Sequence, residues 1–589
     1  MNVRNRWFLV ITGMMSAMLV LGAACSSSTS SSDKTATASA GGKTPAAGKT
    51  AGATTATGAA PADAATPDKQ KITVQLPEPQ FYDPHQSNFE QDIAVERMLF
   101  RGLYTLADDG KGGAKVIPAM AAGEPTINGN VYTIKLKTDQ KWSDGKAVVA
   151  GDFVYGIQRE CDATVASPYQ YVLGAGLGEL KGCDELFNNK DAAQTAALTA
   201  AVGVKAIDDA TLEVTLNKPV ATFTTIWALW ATFPSRKDVI EKNPTTWTDP
   251  ANIVVNGPFT LKELVAKDHA TFAPNPNWQG QKPALQQITV KFIDDLSAAF
   301  KAFQTGELDE TNINATDVSV AKKDAALKDQ VVVVPTSRIT SVEVQMKDPI
   351  LKDFNVRLAM SRAIDRTALV ASVYDDIFAP ATYWLVKGLP GFQGNTPFES
   401  KIGYDVTAAK KALADAGYAD GKGFPAVTYT FRDTPQNRNL ADFVIKEWKD
   451  TLGITVTAEF LDGKTRSARF NKEDFQLFSG GWQIDYPDPE NPLVGLFDTG
   501  GGNNKYNCSD PDVDAAFKEA ANATTNDARI KAYQKVETAV VTKLCGVIPL
   551  FQEAQPFMVA KKLGGVVPNG TIDAGIPGNY CMECWYVKK

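Results

Sequence analysis

The segment VYTIKLKTDQKWSDGKAVVAGDFVYGIQR, residues 131–159, places a strand pattern, a turn and a helix pattern in direct succession. Apolar and polar residues alternate over Val131–Lys137, as in a half-buried strand, and Asp152–Arg159 has a helical pattern. The alternation returns at Ile72–Leu76 and Thr211–Leu216. Strand and helix patterns are therefore interleaved along the chain, which predicts a mixed α/β fold with a large core.

Further helical patterns lie towards the C-terminus, and no fixed period indicates internal repeats. The length of 589 residues is enough for two or three domains. The additional predicted helices are Asp294–Thr305, Val356–Tyr374, Ala408–Ala416, Asn439–Leu452 and Asp514–Ala521.

The composition excludes several classes of function. The chain has 60 basic and 67 acidic residues, and a net charge of −7 gives nucleic acid no general attraction. Only two histidines occur, His85 and His269, far apart in the sequence. A histidine-rich metal site is therefore excluded, and a histidine-based catalytic triad has few possible places. We expect no metal, no cofactor and no nucleic-acid partner.

Residues 1–24 have the pattern of a secretory signal peptide. Two arginines precede an uncharged stretch, Trp7–Ala24, which ends in small residues just before Cys25. An uncleaved membrane anchor is the alternative, because the stretch is long enough to approach a membrane span. The run Leu21–Cys25 resembles a bacterial lipobox, with Gly22 where leucine is usual. We therefore expect a diacylglycerol on Cys25, which would anchor the exported protein to the outer face of the cell membrane or in the periplasm.

Residues 25–70 are predicted to be a disordered tether. After Cys25, the segment consists of Ser, Thr, Ala, Gly, Pro and a few polar or charged residues, without Val, Ile, Leu, Met or an aromatic residue. Such a composition cannot bury enough apolar surface to offset the entropy of ordering. A flexible chain of this length spans roughly 35–40 Å. A folded module would thus be held near a membrane surface.

The chain resembles the extracellular solute-binding proteins of peptide-type ABC importers (family 5). The motifs that carry this resemblance occur in the family's order over residues 71–589. The sequence around residues 141–262 is most similar to the oligopeptide-binding branch. The motifs are Lys141–Gly145, Gly151–Arg159, Gly203–Leu216, Asn252–Lys262, Gly306–Asp309, Asn355–Ala359, Ala363–Arg366, Ala412–Tyr418 and Gly481–Tyr486.

The resemblance implies a two-lobed clam shell of the periplasmic-binding-protein type (type II, cluster C) with an extra domain. The chain would cross twice between lobes that close on a ligand by hinge motion. Lobe I would contain residues 71–103, 236–337 and 553–589. Residues 104–235 would form the extra domain, and residues 338–552 would form lobe II.

The resemblance also implies a function: a monomer that captures short peptides and delivers them to a pair of membrane permeases, without being an enzyme. Other solutes remain open as ligands, namely a cello-oligosaccharide or a nickel complex. A secreted hydrolase is the alternative from another class, and its base would have to be His85, His269, a lysine or a carboxylate. His269 is expected in an exposed turn.

The best candidate for ligand binding is the run 476–485, Gln-Leu-Phe-Ser-Gly-Gly-Trp-Gln-Ile-Asp. An extended peptide can add a strand to a sheet edge, and glycine permits close approach of the backbone. We expect Gly481, Trp482 and Gln483 to contact the ligand. Asp485 matches the family position that receives the peptide's α-ammonium group, although a turn residue before Tyr486 is the alternative.

Several positions leave the site undecided. Tyr169 matches a tyrosine near the family's ligand site, with a surface loop residue as the alternative. Ser479 stands where the oligopeptide branch has an arginine for peptide carboxylates, and Arg466 and Arg469 lie upstream in uncertain register. Gln483 replaces a cysteine of that branch, so one family disulfide is absent. Asp488, further along, is expected to be a solvated loop charge.

At the helix predicted from Asp152, the family's capping threonine is replaced by Val149. Asp152 is expected to offset part of this loss through the helix dipole.

The six cysteines other than Cys25 are expected to form disulfides, because export permits oxidation. The first pair closes a short segment of the extra domain. The second pair would join the outer ends of two helices if these form an antiparallel hairpin. The third pair forms a C-x-x-C run, for which a structural bridge is favoured over a redox site. The pairs are Cys161–Cys183, Cys508–Cys545 and Cys581–Cys584.

Overall fold

The computed structural model describes residues 61–110, 112–175, 177–484, 486–523 and 525–589. Two predicted site residues, Cys25 and Asp485, lie outside the described residues, as do the signal segment and the tether up to residue 60. For residues 61–70 the tether prediction is wrong, because Gln70 is buried and its Nε2 donates a hydrogen bond to Val587 O at 2.9 Å. In the described ranges, no helix has both the length and the apolar character needed to cross a membrane.

The strands lie mostly in one large sheet, with a smaller four-stranded sheet and two short ribbons. Their bounds are β1 Lys71–Leu76, β2 Tyr104–Asp108, β3 Ala114–Pro118, β4 Thr126–Asn128, β5 Val131–Lys135, β6 Val204–Asp208, β7 Thr211–Thr215, β8 Phe259–Val265, β9 His269–Pro274, β10 Gln287–Phe292, β11 Glu310–Asn312, β12 Val331–Val344, β13 Ala379–Pro380, β14 Val427–Arg432, β15 Val456–Leu461, β16 Leu477–Gln483, β17 Val547–Val559, β18 Leu563–Gly564 and β19 Tyr586–Val587.

The helices are distributed along the whole folded chain. Their bounds are α1 Glu90–Leu99, α2 Ala150–Glu160, α3 Cys183–Phe187, α4 Ala192–Ala201, α5 Phe223–Ile226, α6 Lys237–Lys242, α7 Leu296–Thr305, α8 Ala315–Lys323, α9 Phe354–Arg362, α10 Arg366–Tyr374, α11 Thr396–Ile402, α12 Val406–Asp415, α13 Pro435–Leu452, α14 Gly463–Asn471, α15 Pro511–Ala521 and α16 Asn526–Thr542.

The large sheet has the order β15-β14-β16-β12-β17-β11-β1-β10-β9-β8, and β13 adds to β17. Two long antiparallel strands in its middle, β12 and β17, have 14 and 13 residues. Their pairing shifts register between Pro335 and Ile339, which divides each strand into two parts. The predicted lobe boundaries at 337/338 and 552/553 fall inside these strands.

The buried side chains separate into two large clusters and one small cluster. The first large cluster draws on residues 72–290 and the C-terminal segment, and the second draws on residues 339–551. The small cluster packs α7 and α8 against residues from β17. The predicted mixed α/β fold with a large core is confirmed, whereas the lobe boundaries stay a prediction.

Most predicted strands and helices occur within a few residues of the expected bounds, but the helix predicted over Val356–Tyr374 is wrong as a single element. It is divided into α9, ending at Arg362, and α10, beginning at Arg366. The Asp365 carboxylate accepts a hydrogen bond from the Ala368 N–H at 2.9 Å. This N-cap satisfies a free amide at the start of α10, so it favours a new helix over continuation of the old one.

Helix α2 lacks the hydroxyl cap, as Val149 predicts, and Asp152 replaces it in a different way. Its carboxylate accepts hydrogen bonds from the Val149 N–H at 3.0 Å and from Trp142 Nε1 at 2.9 Å. Asp152 thus ties the turn to the helix through direct hydrogen bonds as well as through the helix dipole.

The six cysteines pair as the sequence analysis expects. Cys161 is joined to Cys183, Cys508 to Cys545, and Cys581 to Cys584. The second bridge joins the residues before α15 and after α16, and these two helices pack against each other.

Candidate functional site

Strand β16 carries the predicted ligand-binding run, and one side of it is only partly covered. It pairs with β12 along its whole length, from Leu477 opposite Val344 to Gln483 opposite Arg338. On the other side, β14 pairs with β16 only at Leu477 and Phe478. Within the described chain, no strand covers that side beyond Phe478. The run therefore presents a sheet edge at its C-terminal end.

The direction of the backbone groups along this edge follows from two hydrogen bonds to β12. The Ile484 N–H donates to Ser337 O at 3.0 Å, and the Gln345 N–H donates to Gln476 O at 2.9 Å. Since backbone groups alternate along an antiparallel strand, those of Gly481 and Gln483 point away from β12. Gln483 and the C=O of Gly481 supply the free polar groups of the open edge, because the Gly481 N–H donates to the Glu343 side chain at 3.1 Å.

The two glycines of the run are required by close contacts. A Cβ on Gly481 would lie 2.0 Å from Ile339 O, and its φ of +143° is rare for other residues. A Cβ on Gly480 would lie 2.2 Å from the carboxyl carbon of Glu343. The missing side chains let β16 approach both the backbone of β12 and the Glu343 carboxylate.

Glu343 and Arg466 flank the same strand, and no sequence pattern indicated this place for Glu343. Glu343 is 4% exposed and accepts a hydrogen bond from the Gly481 N–H at 3.1 Å. Burial raises the pKa of Glu343 to about 7, and the positive charge of Arg466 opposes this rise.

Arg466 extends from α14 to the position where the family's arginine is missing. Its guanidinium donates a hydrogen bond to Ser479 O and lies 4.1 Å from the ring centroid of Phe478. Burial lowers the pKa of Arg466, and Glu343 opposes that decrease. A guanidinium is thus restored beside Ser479 from a different element. By contrast, Arg469 pairs with Glu459 at 2.8 Å.

Trp482 and Gln483 have different surroundings. The Trp482 Nε1 donates to Asn491 Oδ1 at 2.9 Å, and its half-buried ring packs against the second large cluster. Gln483 lines a cavity of about 400 Å³.

Asp488 is not a solvated loop charge as expected: it is 1% exposed and accepts a hydrogen bond from Arg529 Nη1 at 2.7 Å. The paired guanidinium makes burial of this carboxylate possible.

Tyr169 is not brought to this cavity. It is 2% exposed, so the alternative of a surface loop tyrosine is wrong. Its ring contacts Trp230 edge-on with 4.7 Å between centroids, inside the first large cluster. Such an aromatic contact accounts for a packing role.

The cavity lies where α1, the middle of β12 and β17, and the C-terminal segment meet. Gln483 is the residue of the predicted run that lines it. Four charged residues line the cavity, and no sequence pattern connected them because they come from distant segments. They are Glu90, Arg338, Glu553 and Asp573.

Neither histidine has the surroundings of a catalytic base. The Nδ1 atom of buried His85 faces three groups at once: Arg159 Nη1 at 2.9 Å, Ser235 Oγ at 3.5 Å and Asp83 Oδ1 at 3.6 Å. A triad needs the carboxylate and the nucleophile on opposite ring nitrogens. Burial lowers the pKa of His85. His269 begins β9 rather than lying in a turn, and its Nδ1 is 2.7 Å from Asp268.

Sequence comparison finds relatives over most of the chain. The periplasmic oligopeptide-binding protein OppA of Escherichia coli is 29% identical over 514 residues, which cover 87% of this chain and 91% of that protein. The periplasmic murein peptide-binding protein MppA of Escherichia coli is 28% identical and covers 86% of this chain and 92% of its own. The oligopeptide-binding protein OppA of Bacillus subtilis is 26% identical, with 85% and 91% covered.

Solved structures are similar to different degrees. The unliganded open form of the murein tripeptide-binding protein MppA has a TM-score of 0.79 at 27% identity and covers 90% of this chain and 99% of its own. Listeria monocytogenes OppA bound to peptide has a TM-score of 0.60 at 26% identity, with 88% and 99% covered. This structure as a whole therefore superimposes better on the open MppA form than on peptide-bound OppA.

A family model settles the class of the protein. Residues 115–504 match the model described as bacterial extracellular solute-binding proteins, family 5 middle. This match spans more than half of the chain and includes both α2 and β16. The chain belongs to family 5 of the bacterial extracellular solute-binding proteins, which bind solutes outside the cytoplasmic membrane and are not enzymes.

Proposed function

We propose that this protein is the substrate-binding component of an ABC importer and that it captures short peptides. The observation that carries the proposal is the open edge of β16 at Gly481–Gln483, next to a cavity of about 400 Å³. An edge of this kind can pair with any peptide main chain, so it tolerates many side chains. Relatives named oligopeptide-, dipeptide- and murein peptide-binding proteins support the same ligand class.

The proposed binding mode assigns a task to each part of the run. The C=O of Gly481 and the backbone groups of Gln483 pair with the ligand main chain, since the Gly481 N–H already donates to Glu343. Asp485 receives the α-ammonium group, because a desolvated ammonium needs a negative charge and hydrogen-bond acceptors. Trp482 provides an apolar surface beside them. Tyr169 acts by packing within the extra domain rather than by ligand contact, since its ring is buried against Trp230.

Capture proceeds by closure of two lobes about the long strands β12 and β17. The similarity to the open MppA form supports an open state that awaits a ligand. The shifted register between Pro335 and Ile339 interrupts regular pairing where the two halves of the sheet join. A lipid on Cys25 and a tether that ends at residue 60 would keep the monomer near its membrane permease pair, over roughly 30–36 Å.

The amino-terminal contact is tested with Asp485→Asn and with N-acetylated peptides. Loss of one partner of a buried charge pair costs about 2–5 kcal/mol, so each change should weaken binding by roughly tens- to thousands-fold. Both changes together should cost much less than their sum, because they remove the same contact. Calorimetry on the four combinations measures this, with Asp442→Asn on exposed α13 as the control.

Two results would contradict the proposal. Equal affinity for free and acetylated peptides would remove the role of Asp485. Mass spectrometry of the ligand that co-purifies with the protein tests the peptide class itself. One relative is named a probable deoxycholate-binding protein, so a bile acid or an oligosaccharide in place of peptides is a defined negative outcome.

A further inference from the structure

The wall of the β16 cavity holds more carboxylates than cations. In the described part of the chain, three carboxylates line it, those of Glu90, Glu553 and Asp573, against the single guanidinium of Arg338. Arg338 is already paired, since its Nε lies 2.9 Å from Glu553 Oε1. Two carboxylates are therefore left without a cation on the cavity surface.

Glu90 stands at the first position of α1, and its carboxylate makes no hydrogen bond or salt bridge with a described residue, although the charge of Arg97 acts on it. A carboxylate in the first turn can serve the helix dipole alone. That task is already covered in part by Asp92, which lies in the same turn and accepts a hydrogen bond from the Gln80 N–H at 2.7 Å. Glu90 instead faces the cavity. Its negative charge offsets the positive end of the helix dipole, so this helix end does not attract anions to the cavity.

Asp573 is the second carboxylate, and one of its oxygens is left over. Its Oδ2 accepts a hydrogen bond from the Asn569 N–H at 2.6 Å. Its Oδ1 is shielded from solvent and has no hydrogen-bond partner among the described residues. Arg97 lies behind this wall, where it donates to Ile572 O, and it does not line the cavity. An unpaired oxygen disfavours the ionised form of the carboxyl, so a cation in the cavity would stabilise the Asp573 carboxylate through its charge.

We infer that this cavity binds a cationic side chain of the ligand, a lysine or an arginine, with Glu90 and Asp573 as its counter-charges. The inference rests on the proposed peptide function. Gln483 lies both on the strand proposed to hold the ligand main chain and in the cavity wall, so a side chain projecting from that main chain enters the cavity. A volume of about 400 Å³ suits a long side chain and several waters.

The electrostatics of the empty cavity agree with this assignment. Burial raises the pKa of Glu90 to about 7 and that of Asp573 to about 8. Arg97 opposes both rises, and Asp108 adds to the rise at Asp573. A ligand cation placed between the carboxylates would lower both pKa values, so its binding should release protons near neutral pH.

The experiment compares tripeptides that carry lysine or norleucine at the first, second or third position. The two side chains have similar length and differ in charge. At one position, the lysine peptide should bind the unaltered protein roughly 10- to 100-fold more tightly. Glu90→Gln should reduce this ratio towards one, whereas Glu185→Gln, the same change on an exposed residue of α3, should leave it unchanged.

Proton release supplies a readout that a merely structural role would not change. Calorimetry of the lysine peptide in buffers of different ionisation enthalpy should show protons released at pH 7.5, and Glu90→Gln should release fewer. Asp573→Asn gives a second variant, accepted only if its melting temperature shows that it folds.

Equal binding of lysine and norleucine peptides at every position overturns the inference while the peptide function stands. A preference for lysine that persists in both variants also overturns it. If no peptide binds the unaltered protein, the proposed function fails and the inference fails with it.

Discussion

Strand β16, which reaches the cavity at Gln483, forms a first wall, and the cavity surface that carries Glu90 and Asp573 forms a second wall. The two walls differ in how far their polar groups are satisfied. On the β16 wall, the Gly481 N–H is bonded to Glu343, Ser479 O to Arg466, and the Trp482 indole to Asn491. On the second wall, the Glu90 carboxylate makes no hydrogen bond or salt bridge with a described residue, and neither does the Oδ1 atom of Asp573. The first wall is held in shape before any ligand arrives, which lowers the entropic cost of binding. The second wall is completed only by a ligand.

The comparison also separates general from selective recognition. A sheet edge offers the same backbone groups to every peptide, so the β16 wall provides affinity that does not depend on side-chain identity. Unpaired carboxylates favour one type of charge and disfavour the other. The difference indicates that one wall sets whether a peptide binds and the other sets which peptides bind best.

The largest effect is expected from Gly481→Ala, which disturbs the first wall. The new Cβ would lie 2.0 Å from Ile339 O in a backbone conformation that disfavours alanine. We expect a loss of about 2–4 kcal/mol in the free energy of unfolding, from strain and overpacking together. Urea unfolding measures the loss. Gly502→Ala is the control, because nothing lies within 4 Å of its added Cβ.

If Gly481→Ala unfolds like the unaltered protein, β16 does not need its close approach to β12. The first wall would then be less rigid than its hydrogen bonds indicate, and the contrast between the walls would be weaker.

The second wall should make the free energy of unfolding depend on pH, through the carboxyl group of Glu90. Folding raises the pKa of Glu90 from 4.5 to about 7, so the folded state holds this proton more tightly than the unfolded chain. The free energy of unfolding should therefore fall as pH rises from about 4.5 through 7. Glu90→Gln removes this contribution, and the variant should be more stable than the unaltered protein by about 1–3 kcal/mol at pH 8.

Urea unfolding at pH 5 and pH 8 measures this difference. Glu185→Gln, on the exposed surface of α3, should follow the unaltered protein at both values. A Glu90→Gln protein that is no more stable at pH 8 would mean that this carboxylate is well solvated, and the second wall would not be waiting for a cation.

The sequence predicted the first wall, on β16, better than the second wall, which carries Glu90 and Asp573. Gly480 and Gly481 predict a close approach of a ligand backbone, and in the structure the groups that approach them are Ile339 O and the Glu343 carboxylate. Glu343 could not be placed against Gly481, because their contact depends on the register of β12 with β16 and no local pattern encodes that register.

The carboxylates of the second wall were beyond sequence reasoning for a related reason. Glu90 and Asp573 lie near opposite ends of the folded chain and meet only in the tertiary structure. Acidic residues are common in this sequence, so neither stood out. The break between α9 and α10 was missed because the helical pattern continues across it. Asp365 is nevertheless a recognisable N-cap signal, because it directly precedes α10 and accepts a hydrogen bond from the Ala368 N–H.

The smallest effect is expected from Trp482→Phe, which keeps an aromatic ring and removes the indole N–H donor from the first wall. The lost hydrogen bond to Asn491 should lower the free energy of unfolding by about 0.5–1.5 kcal/mol. A double-mutant cycle with Asn491→Ala isolates this contact, and the two changes together should cost less than their sum. Peptide affinity should fall only slightly, since the edge at Gly481 and Gln483 is untouched. Additive losses would show that the indole donor does not hold the wall, and a large loss of affinity would make Trp482 a direct ligand contact instead.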